Sequence, residues 1–257
     1  MRVLSAAFQG LFKVQQLSYA HKTNPIDERT DYITTARHEY KINISYSDYL
    51  ILRTRLAAVL ERDANADANG EYRIRSLYFD TPADRALREK IDGLEHREKY
   101  RIRMYGEDTS SLKLEKKSKH HGLCYKQSVP ITARETELII EGDIGWMPRD
   151  TRPLIVELYS KMSGQLLRPK CIVDYIREPF VCSAGNVRVT LDRGIRTALQ
   201  STDILDMHLP TVPADGGQII LEVKYDEFLP SHIAGLVDIG NRRSSAYSKY
   251  AAGRIYG

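Results

Sequence analysis

Cysteine is scarce in this 257-residue sequence: Cys124, Cys171 and Cys182 are the only three, and no two form a CxxC pair. An odd, widely spaced set excludes a disulfide framework and argues against a thiolate metal centre, which fits a reducing, cytoplasmic compartment. No apolar run approaches the roughly 20 residues of a transmembrane helix. The opening MRVLSAAFQGLFKVQQLSYA carries only a short apolar stretch, and Lys13 and the glutamines interrupt it early, which argues against a signal peptide. Charge of one sign is not in large excess either. The 38 Lys and Arg face 34 Asp and Glu, leaving +4, far below what a nucleic-acid coat protein carries. Also missing are a Gly-rich phosphate loop, a fixed-period repeat, a low-complexity tract and any evident Ser/His/Asp or Cys/His set.

What is present is a series of alternating segments. From Arg37, RHEYKINI sets Arg37, Glu39 and Lys41 on one face against His38, Tyr40, Ile42 and Ile44. SDYLILRTRLAAVLERD has helical spacing after a cap signal at Ser47/Asp48. YRIRSLYFD, EKYRIRMYG, LKLEKKSKHH, GLCYKQSVPI, KCIVDYIREPF, NVRVTLDRGIR and QIILEVKYD all read as strands. Between them lie short helices over Ala83 to Ile91, in TARETELIIEGD, along the stripe Leu154, Ile155, Leu158 and Met162, and from about Pro230 to Ile239. Antiparallel-looking strands with inserted helices predict an α+β fold rather than a doubly wound parallel sheet. Residues 1–34 are expected to be an N-terminal arm, poorly ordered or peripherally docked, and 35–257 the folded domain.

A charged strand face is usually wet. Here the same design recurs in at least seven strands. Arg37, Lys41, Arg73, Arg75, Lys99, Arg101, Arg103, Lys113, Lys117, Lys126, Arg177, Arg188 and Lys224 stand against only Glu39, Glu115, Asp192 and Glu222. Like charges opposite one another in a sheet are destabilising, so such a face implies a compensating polyanion. Closing the sheet with this face inward predicts an antiparallel β-barrel, a basic tunnel with helices packed outside. Its few acids would share a divalent cation with phosphate oxygens. Nucleic acid is not expected, because the 16 tyrosines are read as lying mostly on the apolar strand faces, away from any stacking platform. The histidines of KHHG are expected in a solvated turn, and Trp146 in packing.

The order EYK, SLYFDTP, YRIRMYG, LEKKSK, VDYIREPF, VRVTLD, LEVKY and SKY, from about Thr35 onward, resembles the polyphosphate polymerase domain of the vacuolar transporter chaperone (VTC) complex. That domain belongs to the triphosphate tunnel, or CYTH-like, superfamily. The resemblance implies a β-tunnel that binds ATP and a divalent metal, Mn²⁺ or Mg²⁺, and transfers the γ-phosphate of ATP to a polyphosphate chain. By resemblance, Lys41, Arg101, Arg103, Lys117, Arg177, Arg188, Lys224 and Lys249 are catalytic candidates. Arg37, Arg75, Lys113 and Lys126 are candidates for binding phosphate. Glu222 is the metal ligand, with Glu39 and Glu115 as further candidates. ATP and polyphosphate or inorganic phosphate are the implied partners. A membrane-associated partner protein not encoded in this chain is another candidate.

Two positions depart from the family pattern. The hydrolytic branch begins E-x-E-x-K, but Arg37 stands at the first glutamate position. Ala246 occupies a position that is lysine in the eukaryotic polymerase. Hydrolysis needs an activated water and usually additional carboxylates. Transfer to a polyphosphate end needs no base, since the terminal oxygen is already ionised, so positioning and charge neutralisation suffice. The exchange of a carboxylate for arginine therefore favours transfer. A tripolyphosphatase or nucleoside triphosphatase of the same fold, and a non-catalytic polyphosphate-binding module, are the alternative readings.

Overall fold

The structure is a computed structural model, and it describes residues 37–120, 123–214, 216–240 and 247–254. The expected arm, His121 and Ala246 lie outside these residues.

The first strand, β1 (His38–Ile44), runs into helix α1 (Tyr46–Val59). The cap is Ser45 rather than Ser47. Its hydroxyl accepts the Asp48 N–H, and the Asp48 carboxylate answers the Ser45 N–H, a reciprocal capping box in which Asp48 is the third helical residue. There follow β2 (Glu61–Arg62), β3 (Tyr72–Asp80), α2 (Arg85–Ile91), β4 (Arg97–Tyr105), β5 (Asp108–His120) and β6 (Leu123–Pro130). Helices α3 (Ala133–Glu141) and α4 (Pro153–Gly164) come next. Strands β7 (Arg168–Cys182), β8 (Val187–Thr197), β9 (Val212–Pro213) and β10 (Ile219–Tyr225) then precede α5 (Ser231–Val237) and α6 (Lys249–Gly253).

The long strands form one antiparallel sheet in the order β1-β10-β8-β7-β3-β4-β5-β6, with β2 on β7 and β9 on β8. The sheet curls until its two ends meet. The Arg37 N–H reaches the Cys124 carbonyl of β6 at 3.4 Å, the one isolated bridge among the described residues. The expected basic face points inward because the other face has the helices to cover it. Ile102, Met104, Leu112 and Leu114 pack under α3 and α4 against Ile139, Leu154, Ile155, Leu158 and Met162. Ile42, Val189, Leu221 and Val223 pack under α1 and α5 against Leu52, Leu56, Ile233 and Val237. Each strand thus removes its apolar side from water outside the barrel and leaves its charged side to the lumen.

A third cluster lies on the lumenal side. Tyr78, Val173, Tyr175, Ile195 and Ile220 pack with Tyr250 of α6, which occupies one end of the barrel. Asp80 accepts hydrogen bonds from the Thr81, Ala86 and Leu87 N–H groups and from the Tyr250 hydroxyl, so one buried carboxylate organises the start of α2 and the seat of α6. Thr197 Oγ1 donates to the Gly253 carbonyl at 3.0 Å, and Arg254 pairs with Asp84 at 2.7 Å. A Cβ on Gly253 would lie 2.5 Å from Val173 Cγ2. Gly253→Ala is therefore expected to destabilise the chain by about 1–3 kcal/mol through overpacking, read as a lower midpoint in denaturant. A wild-type midpoint would show that α6 does not need this close approach.

Candidate active site

Alternation along each strand delivers Lys41 and Glu39 from β1, Glu222 and Lys224 from β10, and Thr190 and Asp192 from β8 to the lumen. Arg177 and Tyr175 arrive from β7, Arg101 and Arg103 from β4, Glu115 and Lys117 from β5, and Lys126 from β6. The cross-strand register then puts cations directly opposite cations at Lys99/Lys117, Lys117/Lys126, Arg103/Lys113 and Lys224/Arg188. What holds them is a small set of acids in the middle of the bore.

Arg177 grips Asp192 through two bonds of 2.6 and 2.7 Å and reaches Glu222 at 3.2 Å. Lys249 of α6 places its ammonium 2.6 Å from the same Asp192 and 4.6 Å from the Tyr175 ring centroid. Glu222 also receives Lys224 at 3.0 Å and Lys41 at 3.7 Å. Glu39 pairs with Lys41, and lies 3.8 Å from Lys224 and 3.9 Å from Lys117. On the opposite wall Glu115 is enclosed by Arg101 at 2.5 Å, Lys126 at 2.5 Å and Arg103 at 3.8 Å. Arg103 also donates to Tyr175 Oη and Ser76 Oγ, and Arg101 to Tyr78 Oη.

The electrostatics follow from that crowding. Burial pushes Glu39 up and Glu222 adds to this, but Lys41, Lys117 and Lys224 outweigh both and leave it at about 2. Burial likewise raises Asp192, and Arg177 and Lys249 bring it to about 2. Glu222 and Glu115 are held well below the usual carboxylate range against burial, the first mainly by Lys224 and Lys41, the second by Arg101 and Arg103. All four therefore stay ionised across the neutral range. Two lysines set among other cations move the other way. Lys224 and then burial depress Lys117, a shift softened because about a third of that side chain, 35%, remains exposed. Burial, with Lys90, Arg97 and Lys41, lowers Lys99 to about 7.

Most of the expected residues are brought together, and some are not. Arg75 does not line the tunnel. It is fully buried on the outer face of β3, where it makes bonds of 2.9 and 3.0 Å to Asp174 and also donates to the Asp206 carbonyl. Arg73 shares that face and the same Asp174. Arg37 is tied to Asp226 at 2.8 Å and to the Asn186 carbonyl at the seam of the barrel. Arg188 turns to Asp63 at 2.5 Å and Tyr72 Oη at 2.6 Å, away from Glu222. Lys113 lies on the lumenal face of β5 but is exposed. Tyr72, Tyr78, Tyr105 and Tyr175 stand on the lumenal pleat with the arginines, not on the apolar side. Lys90, on helix α2, joins the tunnel cations and carried no strand periodicity that could have revealed it. Lys99 did carry the signal, alternating with Arg101 and Arg103.

Glu39 and Glu222 are coupled through Lys41 and Lys224, and among the described residues no group of three or more His, Cys, Asp or Glu converges as a metal cage. Two hard-oxygen donors fit a divalent cation whose remaining positions are taken by phosphate oxygens and water, the usual arrangement for Mg²⁺ at a phosphate site. Glu115 stands apart from this pair, on the opposite wall among Arg101, Arg103 and Lys126. Among the described residues no helix is long and apolar enough to cross a membrane.

The site is thus set inside a curled antiparallel sheet, with helices outside and ionised Arg, Lys and Glu within. The VTC domain family matches residues 36–256, and the chain belongs to that family. No curated protein matches the chain. Among solved structures it is similar to a protein assigned as an adenylate cyclase from Bacillus halodurans, with 14% identity over 79% of this chain and 86% of that one at a TM-score of 0.47. It is also similar to the PH1012 protein of Pyrococcus horikoshii, with 12% identity over 83% and 96% and a TM-score of 0.43. The Mimivirus capping enzyme triphosphatase is a further likeness, with 11% identity over 78% and 84% and a TM-score of 0.37.

The depressed Lys99 makes the stability of the fold depend on pH. Its folded pKa of about 7 lies below the ordinary lysine value of 10.5, so the charged form burdens the fold fully below about pH 7 and not at all above 10.5. Stability of the ligand-free chain therefore gains from Lys99 as pH rises through that window. Lys99→Met is expected to raise the melting temperature at pH 7 and flatten the pH dependence. Binding of long-chain polyphosphate at pH 8 should draw a proton onto Lys99, seen as buffer-dependent heats in calorimetry. Binding heats that ignore the buffer would contradict this assignment.

Proposed function

We propose that the chain is a metal-dependent phosphotransferase that moves the γ-phosphate of ATP onto a polyphosphate chain inside the tunnel. One observation carries the reading. The lumen concentrates fixed cations around four carboxylates, and each carboxylate is already committed to lysine or arginine. An acid depressed to about pKa 2 is a poor general base, so these groups suit charge neutralisation better than activation of water.

In this reading Arg101, Arg103 and Arg177 hold the triphosphate oxygens, and their planar forks fix its orientation. An ionised terminal oxygen of the acceptor chain attacks the γ-phosphorus, the bond to the β-phosphate oxygen breaks, and ADP carries away the electron pair. Lys41, Lys117, Lys224 and Lys249 neutralise charge that migrates toward the leaving and transferred groups. Lys126 supports Arg101 by sharing Glu115. Glu222, with Glu39, would hold Mn²⁺ or Mg²⁺, which screens charge on the phosphates when bound. The location proposed is cytoplasmic, with a membrane-associated partner encoded elsewhere.

The chemistry is checked by incubating the purified chain with ATP and Mn²⁺ or Mg²⁺ and measuring long-chain polyphosphate and orthophosphate separately. Polymer formation is expected. It should vanish on chelation, fall below detection in Glu222→Ala and drop by about 100-fold or more in kcat/KM in Arg101→Ala. Orthophosphate without polymer would favour the triphosphatase reading, to which the retained Glu39-x-Lys41 pair lends support. If neither product forms and Glu222→Ala matches wild type, the enzymatic proposal is wrong.

A further inference from the structure

The two mouths of the tunnel differ in how their cations are satisfied. Where Tyr72, Tyr105 and Arg188 lie, the charges have partners. Arg188 holds Asp63, Arg73 holds Asp174 with Glu107 at 3.9 Å, and Tyr72 and Tyr105 meet edge to face at 5.6 Å. At the opposite mouth, beside α6, the balance is reversed. Arg97 stands directly across from Lys119, and Lys99 across from Lys117. Helix α2 packs against β4 and carries the half-buried Lys90 toward this mouth, where Arg97, Lys41 and Lys119 act on it electrostatically.

None of Lys90, Lys99 and Lys119 makes an ion pair with a described residue. Lys99 has only Ser248 Oγ at 3.1 Å and the Tyr250 ring, its centroid 5.4 Å away. Arg97 donates to the Leu94 carbonyl. The nearby acids are already used: Glu39 by Lys41, Lys117 and Lys224, and Asp80 by the α2 N–H groups and Tyr250. Four half-buried cations at close quarters, with no described carboxylate among them, repel one another. Such an arrangement is stable in use when a mobile polyanion lies between them.

We infer that the mouth formed by Lys90, Arg97, Lys99 and Lys119 is a separate polyphosphate station, which holds the chain beyond the triphosphate at the centre and fixes which way the polymer runs. The inference rests on the proposed function only in taking the central arginines as the triphosphate cradle. Polyphosphate suits this mouth better than a nucleic acid. The Tyr250 ring that lies against Lys99 is almost wholly buried, at 1% exposure, and gives a base nothing to stack on.

The test compares binding of inorganic tripolyphosphate and of long-chain polyphosphate to the purified chain and its variants over a salt series. The double variant Lys90→Ala/Lys119→Ala is expected to lose about tenfold in affinity for the long chain and keep its tripolyphosphate affinity within about twofold. Its log K against log salt slope for the long chain should fall by about two, one per lysine removed. Arg101→Ala should weaken both ligands, and Lys113→Ala, at the other mouth, neither. Lys90→Glu serves as a second variant and should weaken the long chain further than Lys90→Ala. Undiminished long-chain binding by the double variant, beside a loss in Arg101→Ala, overturns the station and leaves the cradle standing. A loss in Lys113→Ala instead reverses the polarity and also overturns it. Single-stranded DNA bound as tightly as polyphosphate, with the same lysine dependence, would make the mouth a nucleic-acid site. If wild type binds neither phosphate ligand, the cradle itself fails.

Discussion

Everything in this molecule depends on holding many like charges inside a closed sheet. A barrel normally turns apolar side chains inward. This one turns them outward, beneath α1, α3, α4 and α5, and fills its bore with lysine and arginine. That inversion is tolerable because Glu39, Glu115, Asp192 and Glu222 are spaced so that no cation in the centre is far from one. Each acid binds two or three basic groups, so removing one leaves several charges uncompensated at once. The carboxylates are thus as structural as they are chemical.

The same constraint narrows the chemistry. Ionised acids already bound to ammonium and guanidinium groups do not take protons readily near neutrality. A depressed lysine such as Lys99 can gain one when an anion arrives. The interior is better suited to receiving and orienting charge than to relaying protons, which matches phosphoryl transfer, where fixed electrostatics do most of the work.

Much of this was legible in the sequence. Period-2 alternation in β1, β4, β5, β8 and β10 identified the residues that share a lumenal face, and a count of basic against acidic groups showed that the face needed a partner. In β3 the pattern is ambiguous. Ile74 and Tyr78 pack on the inside while Leu77 and Phe79 pack on the outside, so both faces are apolar and Arg75 could belong to either. What decides it is Asp174, 99 residues away, which captures Arg75 on the outer face. Lys90 was hidden for a different reason, because a helix reaching over a barrel mouth leaves no strand signal. The tyrosines misled because an aromatic ring with a hydroxyl serves an apolar contact and an arginine equally well.

The seam of the barrel carries a consequence of another kind. Among the described residues β1 and β6 meet through one backbone bridge, Arg37 to Cys124, and not through a full ladder. The margins of an open sheet recruit other chains and seed aggregates unless something deters them. Here the deterrents are Arg37, Glu39 and Lys41 along one margin and Lys126 and Pro130 along the other. The ionic lining thus doubles as a guard against edge-to-edge assembly, and a substitution that neutralises it alters solubility as well as ligand affinity.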